Sequence, residues 1–385
     1  MFYQLPPVGN PVRLFGGKQP ESLLQGFFSP YTARYFASGT AALAAAIAAA
    51  ASLKGIDSPE VILPAYGCPD LVSATLCAGA KPVLVDLEPN RPWMDLDQLP
   101  ACITPRTVAI IAVHLFGIPE RMAQLHSLAG QAGALLIEDS AQYFPGAKED
   151  SIWTADLVVL SFGRGKPVSL LGGGAVLVRD TVPVDLLPVP AGSTAGAVSR
   201  RLSFLTRAML YNLVLSPWLY WVPQGLPFLH LGETRFHSLS GIDTMDPVRR
   251  AMLSANVQAY RGAAVHAQHT LTEMLQELDL AAADIVDLPG ACGVSANRRL
   301  LRYPLLLDKQ LRDRICQRLK HSGLGPSGLY PAALPAIAGL ETAFGGQGPF
   351  PRAEAFAQRI LTLPVHGSVR DRDVLNIRRI FKDFS

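Results

Sequence analysis

The sequence has 385 residues, of which 49% are hydrophobic and 17% charged, and its formal net charge is +3. This composition excludes a disordered chain, and the length favours a large domain followed by a smaller one. The basic residues are scattered, and their one cluster, at Arg200, Arg201 and Arg207, is too small for a groove that follows nucleic acid. We therefore expect no nucleic-acid partner.

The cysteines and the N-terminus both favour a protein that stays inside the cell. The five cysteines are widely spaced, form no C-x-x-C pair and have no neighbouring histidines. This usage fits a reducing cytosol and predicts no metal site. Residues Met1 to Arg13 include three prolines and no continuous apolar run, unlike a secretory signal.

From Tyr35 to Val178, short apolar runs alternate with helix-length segments, which is typical of βαβ units around a mostly parallel sheet. The clearest helix runs from Ala41 to Leu53, where strong helix formers end at Gly55. The strands are predicted at Val61–Leu63, Pro82–Val85, Val108–Val113, Ala134–Ile137, Leu157–Ser161 and Ala175–Val178. We expect a large α/β domain over residues 1–245.

The remaining residues, 246–385, are predicted to form a smaller α+β domain. An amphipathic helix begins at Asp246-Pro247 and continues to about Leu278. After it come a β-like run at Leu300–Leu307 and a helix at Leu311–Lys320. A Pro/Gly-rich loop at Gly323–Pro351 and a last helix at Val369–Phe381 follow.

Ser38-Gly39-Thr40 stands at the start of the alanine-rich helix, where free backbone N–H groups and the positive end of the helix dipole converge. An anion such as a phosphate is held well at such a position. The same three residues also serve as an ordinary N-cap, so the motif alone leaves both interpretations open.

Asp139 ends an apolar strand, in the run Ile137-Glu138-Asp139-Ser140-Ala141-Gln142. Ligands of open α/β sheets bind beyond the carboxyl ends of the strands, so a carboxylate there is placed to meet one. The alternative is a carboxylate that only caps the following loop.

Lys166 follows the next strand in a glycine-flanked loop, Gly163-Arg164-Gly165-Lys166, which leads to Gly172-Gly173-Gly174. A partly desolvated amine there is nucleophilic, whereas a solvated loop lysine is the alternative. Together the three features fit a ligand with a phosphate, a group that needs a carboxylate, and a carbonyl that condenses with an amine. Pyridoxal 5′-phosphate (PLP) has all three.

With these motifs in order, the sequence resembles the DegT/DnrJ/EryC1/StrS family of PLP-dependent sugar aminotransferases. The resemblance is dense from Phe36 to Val178 and implies fold type I, a mostly parallel central sheet with flanking helices. The matching segments are Ser38–Leu43, Val61–Pro64, Ala78–Val83 with Asp86, Val113–Gly117, Ile137–Gln142, Ser161–Lys166 and Gly172–Gly174, with weaker matches at Tyr330-Pro331 and Leu361–His366.

The resemblance implies a role for individual residues. Lys166 matches the lysine that binds the cofactor covalently, and Asp139 matches the partner of the pyridine nitrogen. Gln142 matches a residue beside the ring. The phosphate-binding positions correspond to Ser38, Gly39, Thr40 and Ser161, and the substrate side to His114, Tyr330 and His366.

Two departures from the family pattern concern the cofactor site. Cys68 stands where the family has an aromatic residue that stacks on the ring, and Tyr66 is a substitute two residues earlier. The family's Gly-x-Asn-x-Arg segment, which completes the neighbouring subunit's site, has only a loose counterpart at Gly232–Arg235.

A third departure is the apolar insert, residues 202–231. Pro217, Pro223 and Pro227 interrupt it, so it lacks the run of about 18 apolar residues of a spanning helix. Its aromatic residues and the preceding arginines suit peripheral contact with the inner face of a membrane. Packing against a partner subunit or over the active site is the alternative.

The sequence therefore predicts a cytoplasmic, homodimeric PLP aminotransferase of polysaccharide or glycan biosynthesis. By resemblance, glutamate is the amino donor and a nucleotide-linked keto-sugar is the acceptor. Relatives that dehydrate sugars carry histidine in place of the lysine, so Lys166 favours amino transfer. A PLP-dependent sugar dehydratase or epimerase, and a non-catalytic PLP-binding relative with a regulatory or scaffolding role, are the alternatives.

Overall fold

The computed structural model describes residues 3–14, 21–147, 153–188, 197–225 and 234–384. A seven-stranded sheet in the order β1-β7-β6-β5-β4-β2-β3 forms its centre, and a second sheet has the order β10-β9-β8. The strands are β1 Thr32–Phe36, β2 Glu60–Pro64, β3 Lys81–Val85, β4 Thr107–Val113, β5 Leu135–Asp139, β6 Leu157–Ser161, β7 Gly174–Val178, β8 Val286–Asp287, β9 Tyr303–Leu306 and β10 Ile360–Leu363.

Helices cover both sheets. In chain order they are α1 Glu21–Phe28, α2 Gly39–Lys54, α3 Asp70–Cys77, α4 Leu99–Cys102, α5 Met122–Gln131, α6 Ala197–Val214, α7 Trp221–Gln224, α8 Pro247–Gly262, α9 His266–Gln276, α10 Leu288–Ala291, α11 Lys309–His321, α12 Pro351–Arg359 and α13 Asp371–Lys382.

The central sheet confirms the six predicted strands and adds an edge strand that the sequence analysis did not predict. β2 to β6 run parallel, whereas β7 is antiparallel to both β6 and β1. Parallel strands buried on both faces read as continuous apolar runs, which is why they were predictable. β1, with half-exposed Ala33 and Tyr35, lacks such a run.

Helix α2 packs across the middle of the sheet and explains the alanine run. Nine of its side chains are buried, seven of them alanines. Small side chains on every face let the backbone lie close to the strands, so this helix needs no amphipathic stripe. Gly55, in the left-handed conformation at φ 61°, ends it as predicted.

The predicted single helix from Asp246 to Leu278 is wrong, because the chain breaks between α8 and α9. Asp246 caps α8 through Val248 N and Arg249 N, as the start signal predicted. The helix stops at Gly262, and Arg299 donates to the carbonyl groups of Tyr260 and Ala263 there. A side chain distant in sequence thus satisfies the last carbonyls of α8.

α8 packs on the central sheet, whereas β8 to β10 form their own sheet. Leu253 and Val257 of α8 belong to the same buried cluster as Val158 and Leu160 of β6. A second cluster of buried hydrophobic side chains contains both the alanines of α2 and Leu305 of β9, so it connects the two sheets. The division of the chain at residue 245/246 stays a prediction.

Candidate active site

The N-terminus of α2 lies against the loop ends of β6 and β7. Ser38 caps the helix by accepting a hydrogen bond from Ala41 N at 3.0 Å. The first-turn amides of α2 have no partner within the helix itself, and amides at this position suit an anion. The structure confirms that Ser38 is the N-cap, while phosphate binding by the motif stays a prediction.

Glycines permit the close approach of these segments. A Cβ on Gly39 would lie 2.6 Å from Ser161 Oγ, and a Cβ on Gly174 would lie 2.4 Å from the Ser38 carbonyl oxygen. Gly172 and Gly173 have φ angles of 149° and 93°, which favour glycine. The Gly172–Gly174 run thus brings β7 against the helix cap.

Gly39→Ala is expected to weaken PLP binding at least tenfold, because the new methyl group must displace Ser161 from the proposed phosphate site. Equilibrium dialysis of PLP measures the effect. Gly130→Ala is the matched control, since nothing lies within 4 Å of its Cβ position in α5. Unchanged binding in Gly39→Ala would contradict this role of the contact.

Lys166 is half-buried in the loop between β6 and β7. Phe162 N donates to Gly173 O and Leu170 N donates to Phe162 O, each at 2.8 Å, which closes the loop onto itself. Asn10 donates to the Lys166 carbonyl oxygen at 3.3 Å. The backbone that carries the amine is therefore fixed from two sides.

Asp139 ends β5 beside this loop and is 8% exposed. Its backbone oxygen accepts from His114 N, and its Oδ1 accepts from Ala141 N at 2.9 Å. Burial raises the pKa of Asp139, while the Ala141 amide and the positive charge of Lys166 counteract part of that rise. A buried carboxylate of this kind is stabilised by a cation, and a protonated pyridine nitrogen is one.

Gln142 connects this edge of the sheet to a loop of the C-terminal half. Its Oε1 accepts from Phe116 N at 2.9 Å, and its Nε2 donates to the Tyr330 hydroxyl at 3.1 Å. Tyr66 holds the same loop, because its hydroxyl donates to Tyr330 O at 3.2 Å and accepts from Tyr330 N at 3.3 Å. The structure thus brings Tyr330 to the predicted cofactor residues.

Cys68 and Tyr66 differ in their suitability for contact with a cofactor ring. Tyr66 is 1% exposed and packs edge-on against Tyr330 and Phe356. Cys68 interacts electrostatically with Lys166, and burial raises the pKa of its thiol to about 11. Cys68 therefore presents a protonated thiol on the side of the lysine. Which residue covers the ring stays a prediction.

His114 lies in a buried polar cluster with Glu138 and Arg298. Its Nδ1 accepts from Arg298 Nη2 at 3.0 Å, and its Nε2 is 3.6 Å from Glu138 Oε1. Glu138 and Asp139 point to opposite faces of β5, since side chains alternate along a strand. Burial lowers the pKa of His114 and raises that of Glu138 to about 7. The substrate role expected for His114 stays a prediction.

Both ring nitrogens of His366 are used in backbone contacts. Nε2 is 2.8 Å from the Pro6 carbonyl oxygen, and Nδ1 accepts from Ser368 N at 3.3 Å. A Cβ on Gly9 would fall 2.5 Å from this ring, and burial lowers the pKa of His366 to about 4. These contacts make His366 a neutral anchor for the N-terminal segment; its substrate role stays a prediction.

Asp70 and Tyr211, which were not among the residues predicted from the sequence, adjoin the site. Thr40 Oγ1 donates to Asp70 Oδ2 at 3.0 Å, so the first turns of α2 and α3 meet there. Tyr211 of α6 lies against Gly165 and Ser169 of the lysine loop. The sequence could have indicated Asp70, because it begins a helix just after a strand that ends at this edge of the sheet. No sequence pattern indicated Tyr211.

The apolar insert is described as far as residue 225. It forms the end of α6, a turn and α7, while its residues 226–231 and the nearby Gly232 and Glu233 lie outside the described residues. Among the residues that the structure describes, no helix is long and apolar enough to cross a bilayer.

The predicted PLP contacts lie at this edge of the sheet: helix amides and Ser161 for the phosphate, Asp139 for the ring nitrogen, and Lys166 for the carbonyl. A sequence model of the DegT/DnrJ/EryC1/StrS aminotransferase family matches residues 21–186. The chain is similar to this family over that segment. The match contains Ser38, Asp139 and Lys166, whereas Tyr330 and His366 lie beyond it.

Two curated relatives of this chain are named as sugar aminotransferases. The UDP-N-acetyl-3-dehydro-α-D-glucosamine 3-aminotransferase of Acidithiobacillus ferrooxidans is 28% identical over 353 residues, which are 90% of this chain and 82% of the relative. The dTDP-3-amino-3,4,6-trideoxy-α-D-glucose transaminase of Micromonospora megalomicea is 41% identical over 106 residues, 26% of this chain and 28% of the relative.

Solved structures of the family share the fold. DesI, crystallised in the presence of its TDP-sugar product, has a TM-score of 0.68 at 22% identity. The match covers 99% of this chain and 93% of the DesI chain. A DegT/DnrJ/EryC1/StrS aminotransferase from Brucella abortus has a TM-score of 0.67 at 20% identity. The match covers 94% of this chain and 88% of the Brucella chain. The predicted fold type I is thereby confirmed.

Proposed function

We propose that this protein is a PLP-dependent aminotransferase that gives an amino group to a nucleotide-linked keto-sugar. The observation that carries the proposal is the convergence of Lys166, Asp139 and the N-terminus of α2 at one edge of the sheet. The names of the curated relatives support the sugar and its nucleotide.

Each part of this edge has a separate task. The amides of Gly39 and Thr40 and the Ser161 hydroxyl bind the phosphate, and Asp139 keeps the ring nitrogen protonated. When bound, PLP supplies an electron sink for the negative charge that develops at the substrate carbon. Lys166 holds the cofactor covalently and moves the proton at that carbon.

Tyr330 is positioned to orient the acceptor. Its hydroxyl is fixed by Gln142 Nε2 and lies beside Cys68, and its backbone is fixed by Tyr66. The loop that carries it is packed over the large sheet, where Leu334 N donates to Ala65 O at 2.8 Å. A buried tyrosine at this place excludes water from the cofactor side of the site.

The sequence supports three further parts of the proposal. Glutamate serves as the amino donor, and the enzyme works as a homodimer in the cytoplasm, as the family resemblance implies. The apolar insert gives it peripheral contact with the inner face of the membrane.

Transfer of labelled nitrogen tests the reaction. The purified protein, loaded with PLP, is given ¹⁵N-glutamate and UDP-N-acetyl-3-dehydro-α-D-glucosamine, the sugar in the name of one relative. We expect ¹⁵N in the sugar product by mass spectrometry. Loss of water without nitrogen transfer would favour the dehydratase alternative. Bound PLP whose spectrum no amino donor changes would favour a non-catalytic relative.

A further inference from the structure

The outer surface of α6 and α7 is apolar and exposed. On α6, Leu202 is 68% exposed, Met209 49%, Leu210 60% and Leu213 57%. At 100° per residue these four side chains form one stripe along the helix. Trp218, Trp221 and Val222, at 53%, 40% and 40% exposure, continue it past the helix end. We name these seven residues the α6–α7 surface.

The opposite face of α6 secures the helix to the protein. Phe204, Ala208 and Leu215 are buried, and the Asn212 side chain pairs with both the N–H and the carbonyl of Val12, at 2.8 and 2.7 Å. The helix therefore has the inner contacts that it needs, and packing among the residues that the structure describes does not explain the outer stripe. An exposed patch of this kind marks an interaction site.

The charge around the stripe identifies the partner. From Leu186 to Gly232 the chain contains no aspartate or glutamate, but it contains Arg200, Arg201 and Arg207. Arg201 and Arg207 are exposed on α6. A second copy docked on the same surface would bring like charges together, whereas an anionic lipid surface complements them.

We propose that the α6–α7 surface lies in the interfacial region of an anionic lipid bilayer. The apolar stripe enters the boundary between head groups and acyl chains, and the arginines contact the lipid phosphates. Trp218 and Trp221 occupy the level at which tryptophan is enriched in membrane proteins. No helix of the described residues is suited to span the bilayer, which is consistent with a helix that lies along it.

This docking places the lysine loop near the membrane. Tyr211, on the inner face of α6, lies against Gly165 and Ser169, and Val8 lies next to Gly165. One helix diameter, about 10–12 Å, therefore separates the Lys166 loop from the lipid. Resting on the proposed function, the inference is that the amino group is transferred close to the membrane surface.

Vesicle flotation of the PLP-loaded protein tests the surface. We expect flotation with phosphatidylcholine vesicles that contain phosphatidylglycerol, weakened by high salt, and none with phosphatidylcholine alone. Leu210→Ser/Leu213→Ser and Arg201→Gln/Arg207→Gln are each expected to weaken partitioning roughly tenfold or more. Leu375→Ser/Arg314→Gln, on exposed positions of α13 and α11, is the matched control and should float like the wild type.

Folding and the reaction are monitored separately. Each variant must retain PLP absorbance and the melting temperature of the wild type, and nitrogen transfer is measured without vesicles, so a failed reaction is distinguished from failed docking. Equal flotation of all variants, or none for the wild type, would overturn the proposal. If Leu210→Ser/Leu213→Ser dissociates a dimer in sedimentation while the wild type ignores vesicles, the surface is a subunit interface instead.

Discussion

Lys166→Ala is expected to abolish the covalent attachment of PLP and to lower nitrogen transfer by roughly 10²–10⁴-fold or more. The reason is that this amine has two tasks, holding the cofactor and moving the proton. Its removal also leaves Asp139 without the nearby positive charge that opposes the rise of its pKa. Loss of the visible absorbance band of the covalently bound cofactor, followed before and after addition of glutamate, measures the first effect.

Two companion variants separate chemistry from charge. Lys166→Arg keeps the positive charge beside Asp139 but cannot condense with the carbonyl, so it should retain more PLP than Lys166→Ala while transferring no faster. Lys309→Ala removes an exposed lysine whose 3.0 Å pair with Asp313 adds little stability, and it should behave as the wild type. If wild type and Lys166→Ala gave the same spectrum, the assignment of Lys166 would be wrong.

Asp139→Asn is expected to slow nitrogen transfer by about 10²-fold or more while the protein stays folded and binds PLP. Asparagine can still accept the hydrogen bond from Ala141 N, but it carries no negative charge to keep a pyridine nitrogen protonated. Single-turnover rates with glutamate measure the effect, because they separate the chemical step from cofactor affinity.

Asp156→Asn is the control for the same chemical change at the other end of the sheet. Asp156 immediately precedes β6, and its Oδ2 accepts from Leu136 N at 2.9 Å, a bond that asparagine preserves. We expect its transfer rate to equal that of the wild type. A comparable loss in both variants would show that the Asp139 effect comes from the sheet and not from the cofactor site.

The parts of the fold that were predictable have local causes. Apolar runs such as Val108–Val113 read as buried strands because both faces of a parallel strand are covered. The α2 helix followed from alanine propensity and Gly55. By contrast, the break between α8 and α9 depends on Arg299, which satisfies carbonyls of a segment about 38 residues earlier. No local pattern encodes such a contact.

The candidate site likewise contains residues that the sequence could predict and residues whose surroundings it could not. Ser38, Asp139 and Lys166 were predicted from the sequence because glycine-rich turns and strand ends have a sequence signature, and parallel strands bring their carboxyl ends to one edge. The surroundings of His114 and His366 were not identifiable. His114 meets Glu138 and Arg298, and His366 meets the Pro6 carbonyl 360 residues away. A histidine's role depends on the partners of its two nitrogens, which come from distant segments.

The sequence by itself therefore determined the fold class and six of the seven strands of the central sheet, and it suggested the three groups that we propose bind PLP, since each rests on residues close together in the chain. Only the tertiary structure decided that Tyr330 reaches Gln142 across 188 residues, and that the apolar insert turns one face to the Lys166 loop and the other outward. These relations depend on packing between elements that are far apart in sequence, and periodicity within one element contains no information about its partner.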